Sequence, residues 1–190
     1  MTVGDRARFD IVADVIRSRR TSMKVDPARD VDDAILGKLF ELASWAPCHK
    51  RTWPWEFCVV RGDSRLDLGQ VVSDAMQRNG DDAQRVDKAR TKYARTPVIV
   101  VVGSAPGDSP NRTAENRDAT AAALQNFMLG ASALGVATYW GSCPKGANDD
   151  VARFCGFTAG AHVMSLTYVG WASEEVVAPE RPAPNVTRRD

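Results

Sequence analysis

The residues best equipped for chemistry lie in two short stretches. Arg19-Arg20-Thr21-Ser22-Met23-Lys24 sets three cations and two hydroxyls within six residues. A guanidinium is a planar fork that matches phosphate oxygens, and hydroxyls beside it add donors, so this segment suits a phosphate monoester with a polar chain behind it. Cations closing a helix also complement its dipole, and a solvated basic face accounts for the same residues. The second stretch is Ala46-Pro47-Cys48-His49-Lys50-Arg51-Thr52-Trp53-Pro54-Trp55. Proline fixes φ and pushes the preceding residue towards extended backbone, so this loop is expected to be stiff, with its polar groups aimed in set directions. A plain helix-to-strand connection with core tryptophans fits it too.

Other chemistries find little support. No G-x-G-x-x-G follows a strand, no G-x-x-x-x-G-K-[ST] occurs, and there is no G-x-S-x-G elbow. The two histidines are His49 and His162, and the second falls in an apolar strand, where a structural imidazole is expected. A cofactor that carries the reaction is therefore more economical than side-chain acid-base catalysis. Cys48, Cys58, Cys143 and Cys155 form no C-x-x-C pair, so they read as thiols and not as a zinc site. With 25 basic and 24 acidic residues the net charge is +1, which offers no footprint for nucleic acid or an anionic membrane. Charges at Asp5, Arg6, Arg8, Asp10 and Asp14 interrupt any signal-peptide core, and a soluble cytoplasmic protein is expected.

The elements that must position these residues follow from periodicity. Phe9, Val12, Val15 and Ile16 give an amphipathic helix over 6–19. Asp30 is the expected cap of a second helix to Trp45, with Ile35, Leu36, Leu39, Leu42 and Ala43 as its buried stripe. Strands are predicted over 55–60, 97–103, 136–142 and 162–171, and helices from a Ser64 cap until Asn79-Gly80 breaks it, over an exposed segment from Ala83 to Arg95, from Ala114 to Leu134, and from an Asn148 cap through Phe154. The loop 104–113 is a candidate lid. The helix 114–134 is rich in Ala and Gly, which lets another helix approach closely, so it is expected to be central and to pair with a symmetry mate. One domain spanning 1–190 is expected, with two helices before the first strand favouring a layered α+β fold.

In their order and spacing these segments resemble the flavin-dependent nitroreductase family, in its compact YdjA-like branch. The resemblance rests on Arg19-Arg20-Thr21-Ser22, Trp45-Ala46-Pro47-Cys48-His49-Lys50, Trp53-Pro54-Trp55-Glu56-Phe57, Asp87-Lys88-Ala89-Arg90, Leu124-Gln125-Asn126-Phe127-Met128-Leu129, Ala133-Leu134-Gly135 and Thr138-Tyr139-Trp140, with Val186-Thr187 in the tail. It implies an α+β nitroreductase-like fold, a mixed central sheet flanked by helices, a long central helix and a domain-entwined homodimer. It also implies FMN at the subunit interface, NADH or NADPH as electron donor, and ping-pong hydride transfer to nitro compounds, quinones or a related small acceptor. Carried over by position, Arg19, Arg20 and Thr21 would hold the FMN phosphate. Trp45 and His49 would reach the flavin from the partner subunit, where an imidazole can stabilise charge on the reduced ring, and Trp140, Gly141 and Ser142 would add a contact segment. No side chain is implied as a catalytic acid or base, and no metal is implied.

The chain departs from the family pattern at named places. Arg51 and Trp53 occupy its Asn and Gln positions. Gly141 stands where the branch tends to place an arginine, a loss that Arg181, Arg188 or Arg189 could make good. These departures leave two alternatives, a flavin-binding or redox-sensing protein with little turnover and a related flavin chemistry such as reductive dehalogenation.

Overall fold

The run Val98-Ile99-Val100-Val101-Val102 has nothing polar to offer either face, so a strand built from it must be covered on both sides. The computed structural model describes residues 3–189, and in it the helices divide around this strand. The order along the chain is α1 (Val3–Ser18), α2 (Asp33–Ser44), a 3-10 turn (His49–Arg51), β1 (Trp55–Val60), α3 (Ser64–Arg78), α4 (Ala83–Lys92), a second 3-10 turn (Tyr93–Arg95), β2 (Val98–Ser104), α5 (Pro110–Ala133), β3 (Val136–Gly141), α6 (Asn148–Phe154) and β4 (His162–Trp171). This is the order expected from the sequence. The strands lie β1-β2-β4-β3, so β3 is an edge.

Side chains alternate across a strand, and the core alternates with them. Ile99 and Val101 join Leu166 and Tyr168 beneath α3, α4 and α6. Val98, Val100 and Val102 join Val136 and Val169 beneath α2 and α5. Helices α3 and α4 approach tightly, since a Cβ added to Gly69 would lie 2.1 Å from the Arg90 carbonyl oxygen. Gly69→Ala is therefore expected to destabilise the protein by about 2–3 kcal/mol through overpacking against rigid backbone, read as a lowered midpoint in urea unfolding.

Several local expectations are corrected. All three strand pairings are antiparallel, and the parallel component of the expected mixed sheet is the single bridge Thr21↔Thr138. Asp32, not Asp30, caps α2, accepting from the Ile35 N–H at 2.8 Å. Asn148 does not cap α6. It donates to the Ala161 carbonyl and accepts from Val163 N–H, tying α6 to the start of β4. Helix α5 starts at Pro110 with Ser109 as its cap, so the supposed lid shrinks to the short link before it. The apolar stripe of α1 is not buried in this chain. Phe9, Ile11, Val12 and Ile16 are at least half exposed, and with Leu42 and Trp45 they leave an uncovered apolar face on the α5 side of the fold. Among the described residues no helix is long and apolar enough to cross a membrane.

Candidate functional site

Helix α1 delivers the arginine turn. Arg20 folds back on the helix end, its terminal nitrogen donating to the Arg17 and Arg19 carbonyls at 2.6 and 2.8 Å, which satisfies carbonyls the helix leaves open. Its Nε is buried and has no partner. Arg19 is half-buried, and burial first, then the charges of Arg181 and Arg20, lowers its pKa from the ordinary arginine value. No carboxylate among the described residues forms an ion pair with Arg19, Arg20 or Arg181. Three cations that crowd one another without a counterion, one with a buried free donor, form an electrostatic arrangement that an anion relieves.

The turn is pinned to the sheet edge. Thr21 bridges Thr138, and Ser22 N–H donates to the Thr138 carbonyl at 3.1 Å. Because the Thr138 carbonyl points off the edge, strand periodicity points the backbone groups of Trp140 outward as well. Arg20 thus lies beside 135–138, whereas Gly141 and Ser142 line a separate cavity with Met23, Lys92 and Tyr93. A cavity of about 410 Å³ lies beside the turn, lined by Arg20, Ser22, Ser132, Thr138, Glu174 and Glu175 among others. Of its two carboxylates, Glu174 is bound by Lys24 at 2.5 Å.

Trp140 serves the fold with its ring, the indole N–H donating to the Met164 carbonyl at 3.1 Å. Gly141 has a steric reason. A Cβ there would lie 2.8 Å from the Leu166 carbonyl oxygen and 3.0 Å from the Tyr168 ring, so no arginine side chain can start from this backbone. Burial first, and then the charge of Arg117, lower the His162 pKa and disfavour the charged imidazolium.

Trp45 and His49 lie elsewhere in the protomer. Trp45 ends α2 at 77% exposure and packs along the α1 groove, its indole held by Glu41. His49 donates through Nδ1–H to the Glu115 carboxylate of α5 at 2.9 Å, in a cavity bounded by Pro47, Cys48, Asp118 and Ala122. Neither residue lines the cavity beside the arginine turn. The loop that carries His49 is stiff for a reason proline does not supply. Lys50, Arg51 and Trp53 all have positive φ, at 60°, 54° and 46°, so Trp53 is not in the extended conformation expected before Pro54. The contacts that hold this strained backbone were missed from sequence. Thr52 Oγ1 donates to Asn116 at 2.7 Å, and Asn116, buried in α5, donates to the Ala105 carbonyl at 3.1 Å. The available signal was the polar run Glu115-Asn116-Arg117-Asp118, which precedes the small residues of the same helix.

Residues 16–171 match the model of the nitroreductase family. The chain belongs to the nitroreductase family. Among its relatives is YdjA of Escherichia coli (strain K12), provisionally named an NAD(P)H nitroreductase, 26% identical over 184 residues that span 94% of this chain and 99% of the relative. The crystal structure of a nitroreductase-like family protein from Bacillus cereus superposes with a TM-score of 0.77 at 27% identity, covering 92% of this chain and 91% of that one. A nitroreductase with bound FMN from Bacteroides fragilis NCTC 9343 shares the fold at a TM-score of 0.71 and 18% identity, over 94% of this chain and 98% of that one.

Proposed function

We propose that this nitroreductase-family protein is an FMN-dependent oxidoreductase that uses NADH or NADPH to reduce nitro compounds, quinones or a related small acceptor in a ping-pong cycle. The observation that carries this reading is the uncompensated cluster of Arg19, Arg20 and Arg181 with the buried, partnerless Arg20 Nε. A phosphate dianion fits it, since it supplies the missing counter-charge and an acceptor for that nitrogen. Bound FMN would supply hydride chemistry, which side chains lack. In this reading Arg19 and Arg20 hold the phosphate, Thr21 adds a hydroxyl, and Arg181 from the tail takes the place of the arginine that Gly141 cannot provide. The outward backbone at Trp140, with Gly141 and Ser142, borders the ring.

The protein would act as a homodimer. Trp45 and His49 do not share a cavity with the arginine turn within one chain, and the apolar face of α1, Leu42 and Trp45 is uncovered. A second copy on that face would bury it and carry the partner's His49 loop to the flavin, so one assembly step completes both the core and the site. Protein incubated with FMN is expected to turn yellow, to bleach on anaerobic addition of NADH or NADPH, and to recolour with a nitroarene or quinone. Protein that stays colourless after FMN incubation overturns the proposal.

A further inference from the structure

We infer that Glu115 is a positioning residue that holds His49 in one tautomer and leaves its Nε2 as the ring atom offered to a ligand. Helical spacing sets Arg112, Glu115, Ala119 and Ala122 along one side of α5. Glu115, Ala119 and Ala122 wall a cavity of about 450 Å³ together with the His49 loop. Of the two carboxylates there, Glu115 and Asp118, it is Glu115 that the imidazole meets, Nδ1–H donating to Oε1 at 2.9 Å. Glu115 is itself anchored. Its other oxygen, Oε2, accepts from Arg112 Nη1 at 2.5 Å. The Arg112 side chain is only 20% exposed and fills the space beside Gly107, where an added Cβ would lie 2.3 Å from Arg112 Cγ. A chain of contacts thus runs from the link before α5, through Arg112 and Glu115, to the imidazole.

The backbone that carries the ring is fixed as well. Lys50 and Arg51 follow His49 at positive φ, and Thr52 ties the loop to Asn116, the residue next to Glu115. One turn of α5 therefore holds both the loop and the imidazole. Such order has a cost in conformational entropy, and a contact whose side chains are 57% and 40% exposed returns little stability for it. Its effect on the ring is specific. A carboxylate only accepts, so Nδ1 carries the hydrogen, and in the neutral ring the lone pair lies on Nε2. Among the described residues Nε2 has no hydrogen-bond partner. The role of that atom rests on the FMN reading, in which the partner's His49 meets the flavin. Nε2 is then the atom that makes the contact, and Glu115 acts through the imidazole without touching the flavin itself.

The test begins with the flavin-free full-length protein in alkaline buffer, where imidazoles are neutral. Proton–nitrogen correlation NMR of the ring reads the tautomer, and His49→Asn assigns the signals, since His162 is the other histidine. Parent His49 is expected to be mainly the Nδ1–H form. In Glu115→Gln the amide can donate to Nδ1 as readily as accept from it, and in Glu115→Ala the acceptor is gone, so the Nε2–H form should rise by about threefold or more in both. With FMN loaded, Glu115→Gln should lower kcat for a nitroarene by roughly tenfold or more while KM and flavin affinity stay within about threefold of the parent, a split that loss of fold would not give. Parent His49 found mainly as Nε2–H, a tautomer ratio unchanged in both variants, or a kcat within about twofold of the parent overturns the inference. The parent spectrum can decide against it alone, so a variant that folds poorly does not blunt the result. Protein that takes up no FMN overturns the FMN reading, and the tautomer of its His49 is still read.

Discussion

Replacing Arg19 and Arg20 together by alanine is expected to weaken FMN binding by roughly 100-fold or more, because two charge-assisted contacts to a phosphate, each about 1.5–3 kcal/mol, would be lost. In the proposed site a phosphate would remove an existing penalty: Arg19 is half-buried beside Arg20 and Arg181, and among the described residues no carboxylate forms an ion pair with it. Part of the effect of Arg20→Ala has another origin, since this side chain also closes α1 through the Arg17 and Arg19 carbonyls. Arg20→Lys separates the two roles. It keeps the charge but not the fork, so binding should recover only in part while the melting temperature returns close to that of the parent. Flavin fluorescence titration at fixed ionic strength gives the affinity, and differential scanning gives the stability. Unchanged flavin retention in the double variant would remove the phosphate assignment.

Ile16→Asp is expected to turn the proposed dimer into a monomer and to strip it of flavin. Ile16 is 50% exposed and lines, with Ile11, Val12, Val15, Leu42 and Trp45, an apolar groove of about 310 Å³. An aspartate there meets water in the lone chain, so the protomer should lose less than about 1 kcal/mol of stability. Under a second subunit the same carboxylate would be buried without a partner at a cost of several kcal/mol, enough to shift dimer dissociation by more than about 100-fold. Sedimentation at micromolar protein reads the mass, and absorbance at the flavin band reads the cofactor at the same time. A parent protein that sediments as a monomer with flavin bound would sink the two-subunit site, as would an aspartate variant that keeps both properties.

Local order was legible because it is written in local signals. The apolar runs at 55–60 and 162–171 are bounded by loop-forming residues, and both strands keep those limits. Caps were less legible. Asp30, Asp32 and Asn148 have equally suitable side chains, and which one closes a helix depends on where neighbouring elements place its carboxylate or amide. The start of α5 was misplaced because Ser109-Pro110 reads as loop chemistry until the proline is seen at the first helical turn, where its missing N–H costs nothing.

The sequence by itself determined the family, the element order, and the two stretches proposed to bind, since each rests on residue type and short-range spacing. Tertiary structure alone decided what those stretches face. Periodicity shows that α1 has an apolar stripe but not that it stays uncovered, and a cluster of cations does not show whether a carboxylate reaches it. The same limit hid Thr52 against Asn116 and Tyr168 against Gly141. These are meetings between residues far apart in the chain. They are set by how the sheet and its helices pack and not by any local preference for helix, strand or turn.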